Sequence, residues 1–298
     1  MKFSIEMSVR GEAAEPGHIR EVARAAEDAG FALLGYTDHP APSARWLTTG
    51  GHPTFDPFVA LGFAAAVTDR IGLMTYLAVL PYRNPLLLAK SVASVDRLSG
   101  GRFTLVVGTG YLRSEFAALG GSLDDRNERF EEAIEVVRHV YADDEYRFEG
   151  QDFTAFGVVH DPKPVQLPHP PIWIGGSSRA SRDRVASYGD GWAPLLTNDV
   201  FAKTVRTGVI GEIDGLERVI DELREKVRAA GRDPDAISIQ LDGAGIAVDG
   251  HADAALERVS ELARVGVTHL VVRPTDGPAG AVADTLSRFG ADVVARAG

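Results

Sequence analysis

The chain has 298 residues, 45% of them hydrophobic and 24% charged, with 32 Gly, 16 Pro, no Cys and a formal net charge of −11. This is the composition of a folded protein with a sizeable core; disorder and collagen-like repeats are excluded. The missing thiols remove disulfides, thiolate nucleophiles, Cys-ligated zinc and iron–sulfur clusters. An acidic surface argues against nucleic acid and anionic membranes as partners, while leaving room for a local basic site for an anionic cofactor. The N-terminus has no apolar signal core, and the apolar stretches 58–67 and 71–80 are separated by Thr68, Asp69 and Arg70. Neither reaches the length of a spanning helix. The expectation is a soluble cytoplasmic protein that meets a small-molecule substrate.

Short apolar runs alternate with longer amphipathic stretches. Residues 2–9 read as a strand, and 16–29 as a helix with Pro16 in its first turn and Gly30 ending it. A strand at 31–36 and a long loop at 37–56 follow, then a helix at 57–67, a strand at 70–76, a helix at 85–98 and a strand at 102–107. A strong helix spans 124–141, with Phe130, Ile134, Val137 and Tyr141 on one face. The Pro- and His-rich connection 142–170 holds a small hairpin around Glu149–Gly150 and lies on the face opposite the site. Strands at 171–174, 191–194, 236–241 and 267–273 alternate with helices, among them 179–188 and 215–230. Eight strand–helix units with Val/Ile/Leu-rich strands predict an α/β fold, a (β/α)8 TIM barrel with insertions, over one domain, 1–298. An open doubly wound sheet is disfavoured because no Gly-rich fingerprint follows the first strand.

Barrel chemistry sits on loops leaving the strand C-termini. Asp38 and His39 stand at the second exit, where a carboxylate beside an imidazole can orient a ring or act as an acid/base pair. The bland alternative is a turn Asp and a satisfied loop His. Thr75 and Tyr76 fall where the third strand reaches the same face, a place for a bulge against a flat ligand or simply barrel core. Gly108-Thr109-Gly110-Tyr111, with Ser114 and Glu115 on the next turn, lets backbone approach a ligand closely, as an ordinary tight turn would too. Gly175-Gly176-Ser177-Ser178 enters a helix with amides and hydroxyls that suit a phosphate; the alternative is a capped turn with Ser178 as N-cap. The eight histidines are scattered, and no set has metal-site spacing.

Taken together, YTDHPAP (36–42), LPYRNPLLLAKSVASVDRLSGGRFTLVVGTGY (80–111), SEFAALG (114–120) and PIWIGGSSRASRDRVASYGDGW (171–192) resemble the luciferase-like monooxygenase superfamily, collinearly over nearly the whole chain. The likeness is closest to its deazaflavin-dependent branch, which uses coenzyme F-420. The resemblance implies a reduced-flavin-like ring in the barrel mouth, a homodimer, and a hydride transfer to or from a small organic substrate. Asp38 would bind near the ring, with His39 beside the reacting carbon as the proton partner and Tyr111 as its substitute. The Thr75–Tyr76 bond matches a non-prolyl cis peptide behind the ring; Thr109 and Gly110 would touch its edge or tail, and Gly175, Gly176, Ser177 and Ser178 would cradle the phosphate. The sugar-phosphate-oxidising branch has Glu directly after Gly-Thr-Gly and Trp four residues beyond the His. Here Tyr111 follows, and Trp46 is seven beyond His39, which argues against glucose 6-phosphate oxidation. The alternatives are FMN-dependent monooxygenation and a non-catalytic flavin carrier.

Overall fold

The computed structural model describes residues 1–7, 9–142, 145–197, 202–204 and 206–297. Residues 198–201 and 205, between the strand expected at 191–194 and the helix expected at 215–230, lie outside the described residues.

Eight parallel strands close a ring: β1 (Lys2–Glu6), β2 (Leu33–Tyr36), β3 (Gly72–Thr75), β5 (Phe103–Gly108), β8 (Ile172–Gly175), β9 (Gly191–Ala193), β10 (Ser238–Leu241) and β11 (His269–Val272). The registers Ser4↔Leu33 and Ser4↔Val271 set β1 between its neighbours, and Leu73↔Phe103 closes the ring between β3 and β5. The fold is therefore the (β/α)8 barrel expected, with its helices outside.

The helices start where local chemistry says they should. Asp56 and Asn84 each accept two backbone N–H bonds at the starts of α3 (Pro57–Val67) and α4 (Pro85–Leu98), and each helix has Pro at its first position. These caps satisfy donors a helix start leaves open, so both boundaries match the sequence reading to the residue. Further α-helices are α1 (Pro16–Asp28), α2 (Ala44–Thr48), α5 (Arg113–Ala118), α6 (Arg126–His139), α7 (Arg179–Ser187), α8 (Ile213–Ala229), α9 (Ala252–Arg264) and α10 (Ala279–Asp292). The expected hairpin is β6 (Tyr146–Glu149) with β7 (Thr154–Val158). Farther along that connection, Gln166 Nε2 donates to Phe103 O at the start of β5, which ties it to the face opposite the strand exits.

Strand alternation divides the core in two. One set of side chains packs outward against the helices. The other set, Leu33, Met74, Val106, Trp173 and Ala193, fills the barrel interior. There glycine stands opposite bulk: a Cβ on Gly72 would lie 2.6 Å from Leu33, and one on Gly35 2.8 Å from Met74.

The third strand departs from the expected 70–76. After Thr75 it breaks and resumes as β4 (Ala78–Val79), which pairs with β5 through Ala78↔Val107 and Val79↔Gly108. The interruption carries a non-prolyl cis peptide at Tyr76–Leu77, one bond later than the Thr75–Tyr76 expected. Thr75 stays in regular pairing with Tyr36, and its Oγ1 donates to Val106 O at 2.6 Å, so the chain leaves the strand only beyond it.

Candidate active site

A cavity of 410 Å³ opens at the C-terminal end of the barrel, and every one of the eight strands, or the residues just beyond it, contributes to its wall. This volume lies in the range of small-molecule and cofactor sites.

One side is built around His39. Its Nδ1 lies 3.1 Å from Oε2 of Glu115, which comes from α5 and is fully buried. Tyr82 O–H donates to the same oxygen at 3.1 Å, and Ala41 N–H donates to Oε1 at 3.3 Å. An ionised carboxylate can only accept, so Glu115 holds the ring proton on Nδ1 and leaves Nε2 for exchange with a guest. Trp46 packs against the imidazole at 4.3 Å between centroids, while His52 and Tyr111 meet it edge-on at 5.4 and 6.1 Å. Trp46 thus reaches His39 despite its longer spacing, because α2 turns the loop back. Burial, helped by the charges of His39, Arg10 and Arg273, pushes His52 down to about 4, leaving it a neutral partner for Thr37 Oγ1 at 2.9 Å. Burial raises Tyr111 to about 12, with Glu115 adding to the effect, so its hydroxyl remains protonated.

Asp38 lines the cavity, but its oxygens are already engaged. Val79 N–H donates to Oδ2 at 3.0 Å and Arg83 Nη2 to Oδ1 at 2.8 Å. Burial pushes this carboxyl up, and Arg83 and Val79 pull it back. The side chain ties the exit of β2 to β4 and so fixes the broken third strand.

The floor beneath the break is made by glycine. A Cβ on Gly108 would lie 2.5 Å from Leu77 Cδ1, one on Gly175 would overlap the same leucine, and one on Gly110 would meet Val79 at 2.6 Å. Tyr76, Thr109 and Gly110 join this wall.

The far end is polar and basic. Gly175, Gly176 and Ser178 line it, with Ala180, Ser181, Thr207, Arg126, Arg206 and Arg184, whose Nε donates to Glu131 at 2.6 Å and Nη2 to Asn127 at 3.1 Å. Several donors of the expected phosphate turn are spent within the chain. Gly176 N–H bonds Ala193 O, Ser177 N–H bonds Thr207 Oγ1, and Ser178 Oγ caps α7 by accepting from Ser181 N–H. Ser177 Oγ exchanges bonds with the Leu195 backbone and lies outside the cavity lining, as does Thr75. The amides still open to a guest are those of the first α7 turn, Arg179 and Ala180, which a helix leaves without internal partners. Gly176 has φ +94°, so any side chain there strains the backbone.

The remaining wall, opposite, was not singled out in the sequence. Glu6, Asp242 and Arg273 leave the ends of β1, β10 and β11 and face the cavity beside Tyr76. Arg273 binds Asp242 through two parallel bonds of 2.7 Å and lies 2.6 Å from Glu6 Oε2. Burial raises Glu6 to about 7 against the pull of Arg273. Glu115 and Arg184 were likewise given no role.

Among the described residues, no group of three or more His, Asp or Glu side chains is arranged to hold a metal ion, and no helix is long and apolar enough to cross a membrane.

A closed parallel barrel with a polar, titratable cavity at its strand exits is the framework of a small-molecule enzyme. The chain belongs to the luciferase-like monooxygenase family, whose sequence model matches residues 1–292. It is 29% identical over 239 residues to an FMNH2-dependent dimethylsulfone monooxygenase of Pseudomonas putida, a match covering 79% of this chain and 59% of that protein, so the chain spans about three-fifths of its relative. Its fold is similar to that of monooxygenase RslO1 from Streptomyces bottropensis, with TM-score 0.80, 23% identity and full coverage of both chains. It is also similar to that of the coenzyme F420-dependent tetrahydromethanopterin reductase from Methanopyrus kandleri, with TM-score 0.73, 18% identity, and coverage of 100% and 99%.

Proposed function

We propose that this protein is an oxidoreductase that holds a reduced flavin-type cofactor in the barrel mouth and exchanges two electrons with a small organic substrate. The observation that carries the reading is the buried Glu115–His39 pair at the edge of a cavity whose floor is formed by glycines and the Tyr76–Leu77 break. The cavity suits such a group: Gly108 and Gly175 leave room for Leu77, and Gly110 for Val79, in a floor free of other bulky side chains at those positions. Its basic end, with the α7 amides, Arg184 and Arg206, matches an anionic tail.

When bound, the cofactor supplies the electron transfer chemistry; the chain supplies position, dryness and protons. His39 gives or takes the proton that accompanies electron transfer, and Glu115 keeps it in one tautomer and orientation. Tyr111, its hydroxyl protonated, closes the pocket beside His39. Asp38 acts through Val79 and Arg83, holding the ring-facing wall in place.

Coenzyme F-420 is the first reading for the cofactor, on the collinear motifs at 36–42, 80–111 and 171–192. FMN is the second, favoured by the 29% identical FMNH2-dependent relative. Fluorescence titration of the purified protein with each cofactor separates them. Tight binding of F-420 supports the first, tight binding of FMN alone the second, and binding of neither overturns the flavin-type reading.

A further inference from the structure

The cavity is polarised, and its acidic wall has a composition that the cofactor reading does not use. At one rim stand Arg126 of α6, Arg184 of α7 and Arg206 of the segment after β9; across the mouth, Glu6 and Asp242 share one cation, Arg273. Arg273, its side chain half exposed, serves both carboxylates there. Both its Nη atoms donate to Asp242 at 2.7 Å, in the bidentate geometry that satisfies a carboxylate, and Nη2 also lies 2.6 Å from Glu6 Oε2. Glu6 is only 9% exposed, and its Oε2 is held in an ion pair with Arg273 at 2.6 Å, with no further partner among the described residues. A buried carboxyl on a cavity wall has lone pairs left beyond one ion pair, and these can accept from a donor on a guest.

We infer that the Glu6–Asp242–Arg273 wall is a substrate subsite that takes a hydrogen-bond-donating group, an amine or a hydroxyl, and rejects anions. Two carboxylates against one guanidinium leave the wall negative once Glu6 ionises. A carboxylate, sulfonate or phosphate guest would have to share Arg273 with Asp242 and Glu6, whose charges repel it. A donor meets Glu6 directly, and a protonated amine also offsets the excess charge. The charged and titratable groups facing Glu6 are Arg273 from the end of β11, Asp242 from β10, Tyr76 from the third strand and His39 from the second. Of these, Arg273 and His39 favour its ionised form and Asp242 opposes it. Amine binding therefore strengthens as pH rises through the Glu6 transition, whereas alcohol binding changes less.

The inference rests on the oxidoreductase reading only in calling the guest a substrate; the subsite itself is tested without turnover. Cyclohexylmethylamine, cyclohexylmethanol and cyclohexanecarboxylate share one apolar body and differ in the head group. Their affinities for the purified protein are measured by calorimetry at mildly alkaline pH, with and without bound cofactor. The amine is expected to bind at least about tenfold more tightly than the carboxylate, with the alcohol between them. Glu6→Gln should cut the amine-to-carboxylate ratio about tenfold. Asp242→Asn should move it the same way by a different route, releasing Arg273 to accept the carboxylate, so the test survives if one variant folds poorly. Equal or tighter carboxylate binding, binding of none of the three probes by the parent, or a ratio unmoved by both variants overturns the subsite. Failure of both F-420 and FMN to bind the same preparation overturns the cofactor reading and leaves the ratio to be judged by itself.

Discussion

Gly175→Ala is the sharpest probe of how the cavity floor is built. The residue ends β8 with ordinary backbone angles, so the substitution tests space and not φ. The new methyl would overlap Leu77 and sit 3.0 Å from Val107 O. Leu77 is half-buried and can turn toward the cavity, but Val107 O belongs to the adjoining strand and cannot. Overpacking of this kind costs about 1–3 kcal/mol. For a chain of this size that lowers the melting temperature by roughly 2–4 °C per kcal/mol, or about 2–12 °C in all. The displaced Leu77 would also enter the cofactor space.

The partner variant Leu77→Ala decides the cause. If the clash with Leu77 dominates, the double variant should be more stable than the sum of the two single effects by about 1 kcal/mol or more, the coupling expected of touching residues. Urea unfolding of the four proteins gives the cycle, and F-420 or FMN titration of each reports the cavity. A Gly175→Ala protein that unfolds with the parent and binds cofactor equally, or a cycle with no coupling, refutes the packing account of this glycine.

Four further substitutions test the rest of the site. Glu115→Gln keeps shape but loses a charge-assisted bond, so turnover on any substrate that relies on His39 should fall about 10- to 100-fold while the cofactor dissociation constant moves less than about twofold; an unchanged rate removes Glu115 from the proton path. Asp38→Asn removes one of the two carboxylates paired with Arg83, leaving Asp56 at 2.9 Å, and should destabilise the fold by about 1–3 kcal/mol, read as a lower urea midpoint; full stability with lost cofactor binding would make Asp38 a ligand-binding group instead. Arg184→Met should weaken binding of a phosphorylated cofactor at least about tenfold, with riboflavin, which has no phosphate, little affected. Glu6, held at about 7 when folded and near 4.5 when unfolded, contributes about 3 kcal/mol that is full below 4.5 and lost as pH rises through 7. His52 and His269, both held near 4, contribute with the opposite sign, gaining as pH rises from 4 to 6.5. Glu6→Gln should therefore lose the decline toward neutral pH and keep the histidine rise; identical pH profiles of urea midpoint for the two proteins would count against the buried-carboxyl account.

Elements whose formation is decided locally were legible in the sequence. Pro57 after Asp56 and Pro85 after Asn84 mark helix starts through the φ of proline and the cap oxygens, and neither needs the rest of the barrel. The strands were placed in number and order but drawn too long, as with 267–273 against His269–Val272, because pairing stops where the neighbour stops. The break after Thr75 was expected one bond early. Its position depends on Asp38 gripping Val79 and on two glycines of other strands making room for Leu77, and all of these are remote in sequence. The five-residue α2 has no periodicity to announce it, being a single turn closed by Ser43.

For the site, strand exits drew attention to Asp38, His39 and Tyr111, whereas Glu115 needed the helical phase of α5 and the fold of the 37–56 loop before it could be paired with His39. The acidic wall was different, because its signal was present in the sequence. Ser4 and Glu6 alternate in β1, Gln240 and Asp242 alternate along β10 and its exit, and Ser4 Oγ donates to Gln240 Oε1 at 2.7 Å across the barrel interior. Polar residues at every second position of a buried parallel strand cannot face the helices without losing their partners, so they must face one another inside the ring. At the floor of the barrel such a pair is closed by its own hydrogen bond. At the top the same alternation delivers Glu6 and Asp242, with Arg273 two residues beyond Val271 of β11, into space that a guest can enter. The pattern that makes the interior polar is thus the pattern that gives the cavity its charge, and reading strands only as apolar runs hides both.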